Sequence, residues 1–146
     1  MRSKLTVKIC GMNSQTAVDA AIASGVDYLG FVFFPPSPRS LTPEFASSLM
    51  EERSDDFKVV AVVVNPSDKL LEEITNHLAP DIFQLHGSET AEDITNIKQK
   101  FDTKIIKAIK ISKLEDFEEV SKFDKVAEFM LFDAAAPENT PHSLPG

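Results

Sequence analysis

Three side chains able to move protons stand at equivalent places along the chain. Cys10 closes the run Leu5-Thr6-Val7-Lys8-Ile9-Cys10, His86 closes Ile82-Phe83-Gln84-Leu85-His86, and Asp133 closes Phe129-Met130-Leu131-Phe132-Asp133. Each run has the composition of a β-strand, along which side chains alternate between faces. Val7 and Ile9 therefore share one face, with Lys8 and Cys10 on the other. Phe83 and Leu85 likewise oppose Gln84 and His86, and Met130 and Phe132 oppose Leu131 and Asp133. In all three, one face is apolar and the other ends in a polar group. A thiol, an imidazole and a carboxyl at C-terminal strand ends make an acid–base set where parallel sheets and barrels bind ligands. Plainer readings stay open for each. A lone cysteine is commonly a small buried hydrophobe, His86 before Gly87 can cap its strand, and Asp133 can open a loop. Arg39, in Ser37-Pro38-Arg39, can be a solvated loop residue.

The elements that would position these groups follow a strict alternation. Strands are predicted over residues 5–10, 28–33, 58–64, 82–86, 104–108 and 129–133. Asn13 or Ser14 caps a first helix bearing Ala17, Val18, Ala21 and Ile22, which stops at Gly25. Thr42-Pro43-Glu44 opens a second, with proline at the first helical position. Ser67 precedes a third bearing Leu70, Leu71, Ile74 and Leu78. Thr90 and Asp93 have capping-box spacing before Ile94, Ile97 and Phe101, as do Ser112 and Glu115 around Leu114, Phe117 and Val120. Residues 134–146 are Pro-rich and read as loop, while His77 and His142 read as surface or loop positions. Strand–helix alternation with valine-rich strands indicates a parallel sheet covered by helices. Two architectures satisfy this: a doubly wound flavodoxin-like sheet, and a (β/α)₈ barrel, which takes about 250 residues when complete. Periodicity does not choose between them.

Composition narrows the partners. The 146 residues carry 15 Lys and Arg against 23 Asp and Glu, a net charge of −8. No basic stripe is present, which argues against nucleic acid; a small anionic ligand is compatible, because local charge can oppose global charge. One cysteine precludes a disulfide within the chain and favours a reducing compartment. No apolar segment follows Met1-Arg2-Ser3-Lys4, so no signal peptide is expected. No apolar run is long enough for a bilayer, and the expectation is a soluble cytoplasmic protein. A single cysteine and scattered histidines do not suit a structural zinc site. Gly-x-Gly-x-x-Gly, P-loop and Gly-x-Ser-x-Gly motifs are lacking.

Taken in order, several segments resemble one family. Val7-Lys8-Ile9-Cys10-Gly11-Met12, Gly25-Val26-Asp27-Tyr28-Leu29-Gly30-Phe31-Val32-Phe33, Ser37-Pro38-Arg39, Val62-Val63-Val64-Asn65, Gln84-Leu85-His86-Gly87 and Leu131-Phe132-Asp133 are similar to the phosphoribosylanthranilate isomerases of tryptophan biosynthesis. The resemblance implies a single TIM-barrel-type (β/α)₈ domain over residues 1–146, incomplete after strand 6. It implies an Amadori rearrangement of N-(5-phosphoribosyl)anthranilate to 1-(2-carboxyphenylamino)-1-deoxyribulose 5-phosphate, without metal or cofactor. By motif, Cys10 corresponds to the general base, Asp133 to the general acid and Arg39 to the residue meeting the anthranilate end. Gln84 and His86 join them as expected substrate-binding residues, and the partner is a small phosphosugar–anthranilate molecule. The substrate phosphate would be held by the loops after strands 7 and 8. A thiolate at Cys10 would need a cation, and Lys8 on the same face is our own candidate. Two other readings remain: a non-catalytic receiver-like module, which would want an acidic cluster after strand 1 that Cys10-Gly11-Met12-Asn13 lacks, and another sugar-phosphate barrel enzyme such as an epimerase.

Overall fold

A computed structural model describes residues 5–51 and 53–134. The elements run β1 (Lys8–Cys10), α1 (Gln15–Ala23), β2 (Tyr28–Val32), α2 (Pro43–Ser48), β3 (Lys58–Val63), α3 (Asp68–Leu78), β4 (Ile82–Leu85), α4 (Ala91–Phe101), β5 (Lys104–Ile111), a 3₁₀ helix (Leu114–Lys122) and β6 (Phe129–Ala134). The predicted loop beyond residue 134, with His142, lies outside the described residues, as does the segment 1–4.

Local chemistry sets the helix starts. The hydroxyls of Ser14, Thr42 and Ser67 accept from the backbone N–H of Ala17, Phe45 and Leu70, each satisfying a donor that the helix itself leaves open. At α4 the exchange is reciprocal: Thr90 accepts from Asp93 N–H, and Asp93 accepts from Thr90 N–H and hydroxyl. Those bonds, the backbone one foremost, hold the Asp93 carboxyl below its usual range. The fifth crossover departs from expectation. Asp116, not Glu115, accepts from the N–H groups of Ser112 and Lys113, and the turn that follows is 3₁₀ rather than α. β5 runs on to Ile111, beyond the predicted residue 108, so the crossover starts late, and Leu114 and Phe117 stay exposed. β1 is shorter than predicted, because Leu5 stands in solvent.

All strand pairs are parallel and the order is β1-β2-β3-β4-β5-β6. A doubly wound sheet would reverse direction at a switch point; here every crossover steps the same way, which is the barrel order. The sheet is strongly curled. β1 and β4 would be roughly 14 Å apart in a flat sheet, at the spacing of neighbouring strands, yet Lys8 Nζ lies 2.5 Å from Gln84 Oε1. The rings of Tyr28 on β2 and Phe129 on β6 meet edge-to-face at 6.5 Å.

Curling splits the core as the alternation requires. Outward residues such as Leu29, Phe31, Val63, Phe83 and Ile105 are buried with Val18, Leu71, Ile74 and Ile94 of the helices. Inward residues Val32, Val60, Val62, Ile82 and Ile106 form a second cluster, against which Cys10, Tyr28, Phe34 and Leu131 pack. Among the described residues, no helix is long and apolar enough to cross a membrane.

Candidate active site

The expected residues converge on the interior and its C-terminal rim. Lys8 Nζ donates to Gln84 Oε1 at 2.5 Å, Gln84 Nε2 lies 3.4 Å from His86 Nδ1, and His86 Nε2 lies 3.1 Å from Asp133 Oδ2. One polar chain thus crosses from β1 to β6. His86 reaches Asp133 over β5, where Ala108 is the inward residue. Gln84 and His86 are buried, whereas the Asp133 side chain is 32% exposed, facing the open mouth.

Cys10 is a free thiol, partly buried against the inner cluster. Its seat depends on Gly30, its register partner on β2: a Cβ there would come within 2.8 Å of Cys10 Sγ. The next residue, Gly11, has φ +82°, and a Cβ on it would lie 2.6 Å from Arg39 Nη1 and 2.7 Å from Arg39 Cδ. Gly11 therefore does two things that a side chain would forbid. It turns the chain in the left-handed region, and it lets the Arg39 guanidinium lie against the backbone one residue from the thiol. The Arg39 loop is tied in turn, since its N–H donates to buried Ser37 Oγ and Phe34 N–H donates to Ser40 Oγ.

A second cluster escaped the sequence reading. Lys107 and Glu89 are both buried, with Lys107 Nζ 2.8 Å from Glu89 Oε2 and 2.7 Å from Gly87 O. Glu89 also accepts from the N–H of Asn65 and Gly87, and the Lys107 ammonium lies over the Phe123 ring. Asn65, in the left-handed region at φ 43°, accepts from Ser88 N–H and Oγ. The loops after β3 and β4 are thereby tied into one rim beside His86. The signal was present in the pattern: Lys107 falls on the outward, helix-facing side of β5 between Ile105 and Ile109, where a charge requires a buried partner. Removing one member strands the other, so Glu89→Gln and Lys107→Met are each expected to destabilise the fold by about 3–5 kcal/mol. Urea unfolding of either variant measures this, and a loss below about 1 kcal/mol would show that the pair is not a structural hub.

Comparison with known proteins follows the same residues. The family model described as N-(5'phosphoribosyl)anthranilate (PRA) isomerase matches residues 7–140. The N-(5'-phosphoribosyl)anthranilate isomerase of Rhizobium leguminosarum bv. trifolii is 39% identical over 143 residues, 98% of this chain and 64% of that protein. The crystal structure of phosphoribosyl anthranilate isomerase from Thermotoga maritima superposes with a TM-score of 0.83 at 30% identity, covering 92% of this chain and 64% of that one. A phosphoribosyl anthranilate isomerase solved with reduced 1-(o-carboxyphenylamino)-1-deoxyribulose 5-phosphate gives 0.82 at 29%, covering 90% and 66%. The chain spans about 64% of the length of the curated relatives it matches.

Proposed function

The chain belongs to the N-(5'-phosphoribosyl)anthranilate isomerase family, and from that premise we propose that it forms the acid–base side of an enzyme converting N-(5-phosphoribosyl)anthranilate to the corresponding aminoketose in tryptophan biosynthesis. The observation that carries the reading is the placement of Cys10 and Asp133 on the inward faces of β1 and β6 at the same rim, with Arg39 lying against Gly11 beside the thiol.

The chemistry suits those groups. The protonated carboxyl of Asp133 gives its proton to the ribose ring oxygen, the bond from that oxygen to C1 breaks, and the anilino nitrogen's electron pair forms an iminium. That iminium acidifies the neighbouring C2–H. The Cys10 thiolate takes this proton, leaving an enolamine that gains a proton at C1 as the C2 hydroxyl becomes the ketone. Neither step needs a metal or cofactor. Lys8, on the same strand face as Cys10, gives its ammonium to Gln84 Oε1. Arg39 meets the anthranilate carboxylate, for which a guanidinium fork is the matching shape. His86 and Gln84 belong to the floor of the same site. A reducing, cytoplasmic setting keeps the Cys10 thiol usable.

The test is an assay for loss of phosphoribosylanthranilate fluorescence, run on a barrel in which this chain is continued by the C-terminal segment its longer relatives carry. Catalysed loss with formation of the aminoketose supports the reading; no acceleration by a folded, complete barrel refutes it. Within that assay, Arg39→Ala is expected to raise KM by roughly 10–100-fold while kcat stays near normal, as for loss of charge-assisted bonds to a carboxylate. An unchanged KM with a collapsed kcat would contradict the binding role.

A further inference from the structure

The polar chain across the interior has a direction, and the direction is set at its far end. Lys8 Nζ carries only donors. At 2.5 Å from Gln84 it must meet the amide oxygen, which fixes which end of the Gln84 amide faces which way. The NH₂ end is then turned toward His86 Nδ1, 3.4 Å away. An amide NH₂ can only donate, so Nδ1 must accept, and the ring proton stands on Nε2. From there it donates to Asp133 Oδ2 at 3.1 Å. Reversing any link would set donor against donor in a buried place, since Gln84 and His86 are both almost wholly enclosed.

We infer that Lys8 and Gln84 form a tautomer lock, holding His86 as the neutral Nε2–H imidazole so that it orients the Asp133 carboxyl without forming an ion pair with it. Lys8 and Gln84 are positioning residues, acting on Asp133 through His86. The distinction matters to an acid. A doubly protonated His86 would pair with the Asp133 carboxylate and hold it ionised, opposing the proton that it must carry. The lock blocks that state twice: the Gln84 NH₂ opposes a proton on Nδ1, and the Lys8 ammonium opposes a second positive charge on the same inner face. Asp133 itself stays open to the mouth, where a substrate oxygen can reach its other carboxyl oxygen.

The role assigned to Asp133 rests on the proposed isomerase reading, whereas the His86 tautomer does not, so one experiment separates the two. In the completed barrel with ¹⁵N-labelled histidine, long-range ¹H–¹⁵N correlation reads the His86 tautomer directly, with His86→Asn supplying the assignment. The expected wild-type pattern at neutral pH is a neutral ring protonated at Nε2. In Gln84→Glu the carboxylate should draw a proton onto Nδ1 and produce the charged ring; in Lys8→Met the amide is freed and tautomers should mix. Each variant should lower kcat about 10–100-fold, the size of effect known for partners that orient metal-bound histidines, with KM within about twofold. A wild-type His86 that is charged, or protonated at Nδ1, overturns the lock. So does an unchanged tautomer in Lys8→Met, which serves if Gln84→Glu does not fold. An altered tautomer with normal kcat overturns its service to Asp133. A correct tautomer and response in a barrel without isomerase activity instead removes the functional reading and leaves the lock standing.

Discussion

Cys10→Ser and Asp133→Asn are each expected to lower kcat by at least about 10²-fold in the completed barrel, the usual cost of losing a general acid or base. Both substitutions keep shape while removing proton chemistry. A serine hydroxyl fits the space that Gly30 leaves for the thiol, yet it is far too weak an acid to stand as a base at neutral pH. An asparagine at position 133 keeps an oxygen for the His86 Nε2–H bond and has no proton to give. Because Cys10 is only partly buried and Asp133 borders the mouth, little packing is lost. The fall should therefore appear in turnover and not in stability, which steady-state kinetics beside thermal unfolding will distinguish. Near-normal turnover in either variant would remove that residue from the mechanism.

Assayed by itself, the 146-residue chain is expected to isomerise at least about 10²-fold more slowly than the completed barrel, because misplacement of a substrate by even about 1 Å has that cost, and to self-associate. Among the described residues, β1 pairs only with β2 and β6 only with β5. Cys10 on β1 and Asp133 on β6, the proposed base and acid, thus stand on opposite open edges of one curled sheet. (β/α)₈ barrels frequently hold a phosphate in the loops after their last two strands, so the contact expected to place the sugar between Cys10 and Asp133 would be lacking. The same edges carry exposed apolar side chains: Val7 and Ile9 at β1, and Phe129 and Phe132 at β6, the last 53% exposed. An open parallel edge flanked by such residues recruits another chain. Light scattering on residues 1–146 and the fluorescence assay check both halves together. A monodisperse monomer with activity comparable to the completed barrel would show that closure of the ring is not required.

The alternation of strands and helices, the caps at Ser14, Thr42, Ser67 and Thr90, and the two faces of each strand were all legible in the sequence. They depend on residues close together in the chain: a hydroxyl and an N–H three positions on, or neighbours along one strand. The family was legible too, because motifs such as Lys8-Ile9-Cys10-Gly11 and Gln84-Leu85-His86-Gly87 recur as units. Local reading faltered at the fifth crossover. Ser112 and Glu115 have the capping-box spacing, yet β5 runs on to Ile111 and Asp116 takes the bonds from the N–H groups of Ser112 and Lys113. Barrel against open sheet was undecidable from pattern alone, since both use the same βα units, and only the order of strands separates them. That order also made the site. Lys8 and Gln84 are 76 residues apart, and His86 and Asp133 47 apart, so no spacing rule relates them. Curling brought them within hydrogen-bond reach, and burial then forced their donors and acceptors to agree.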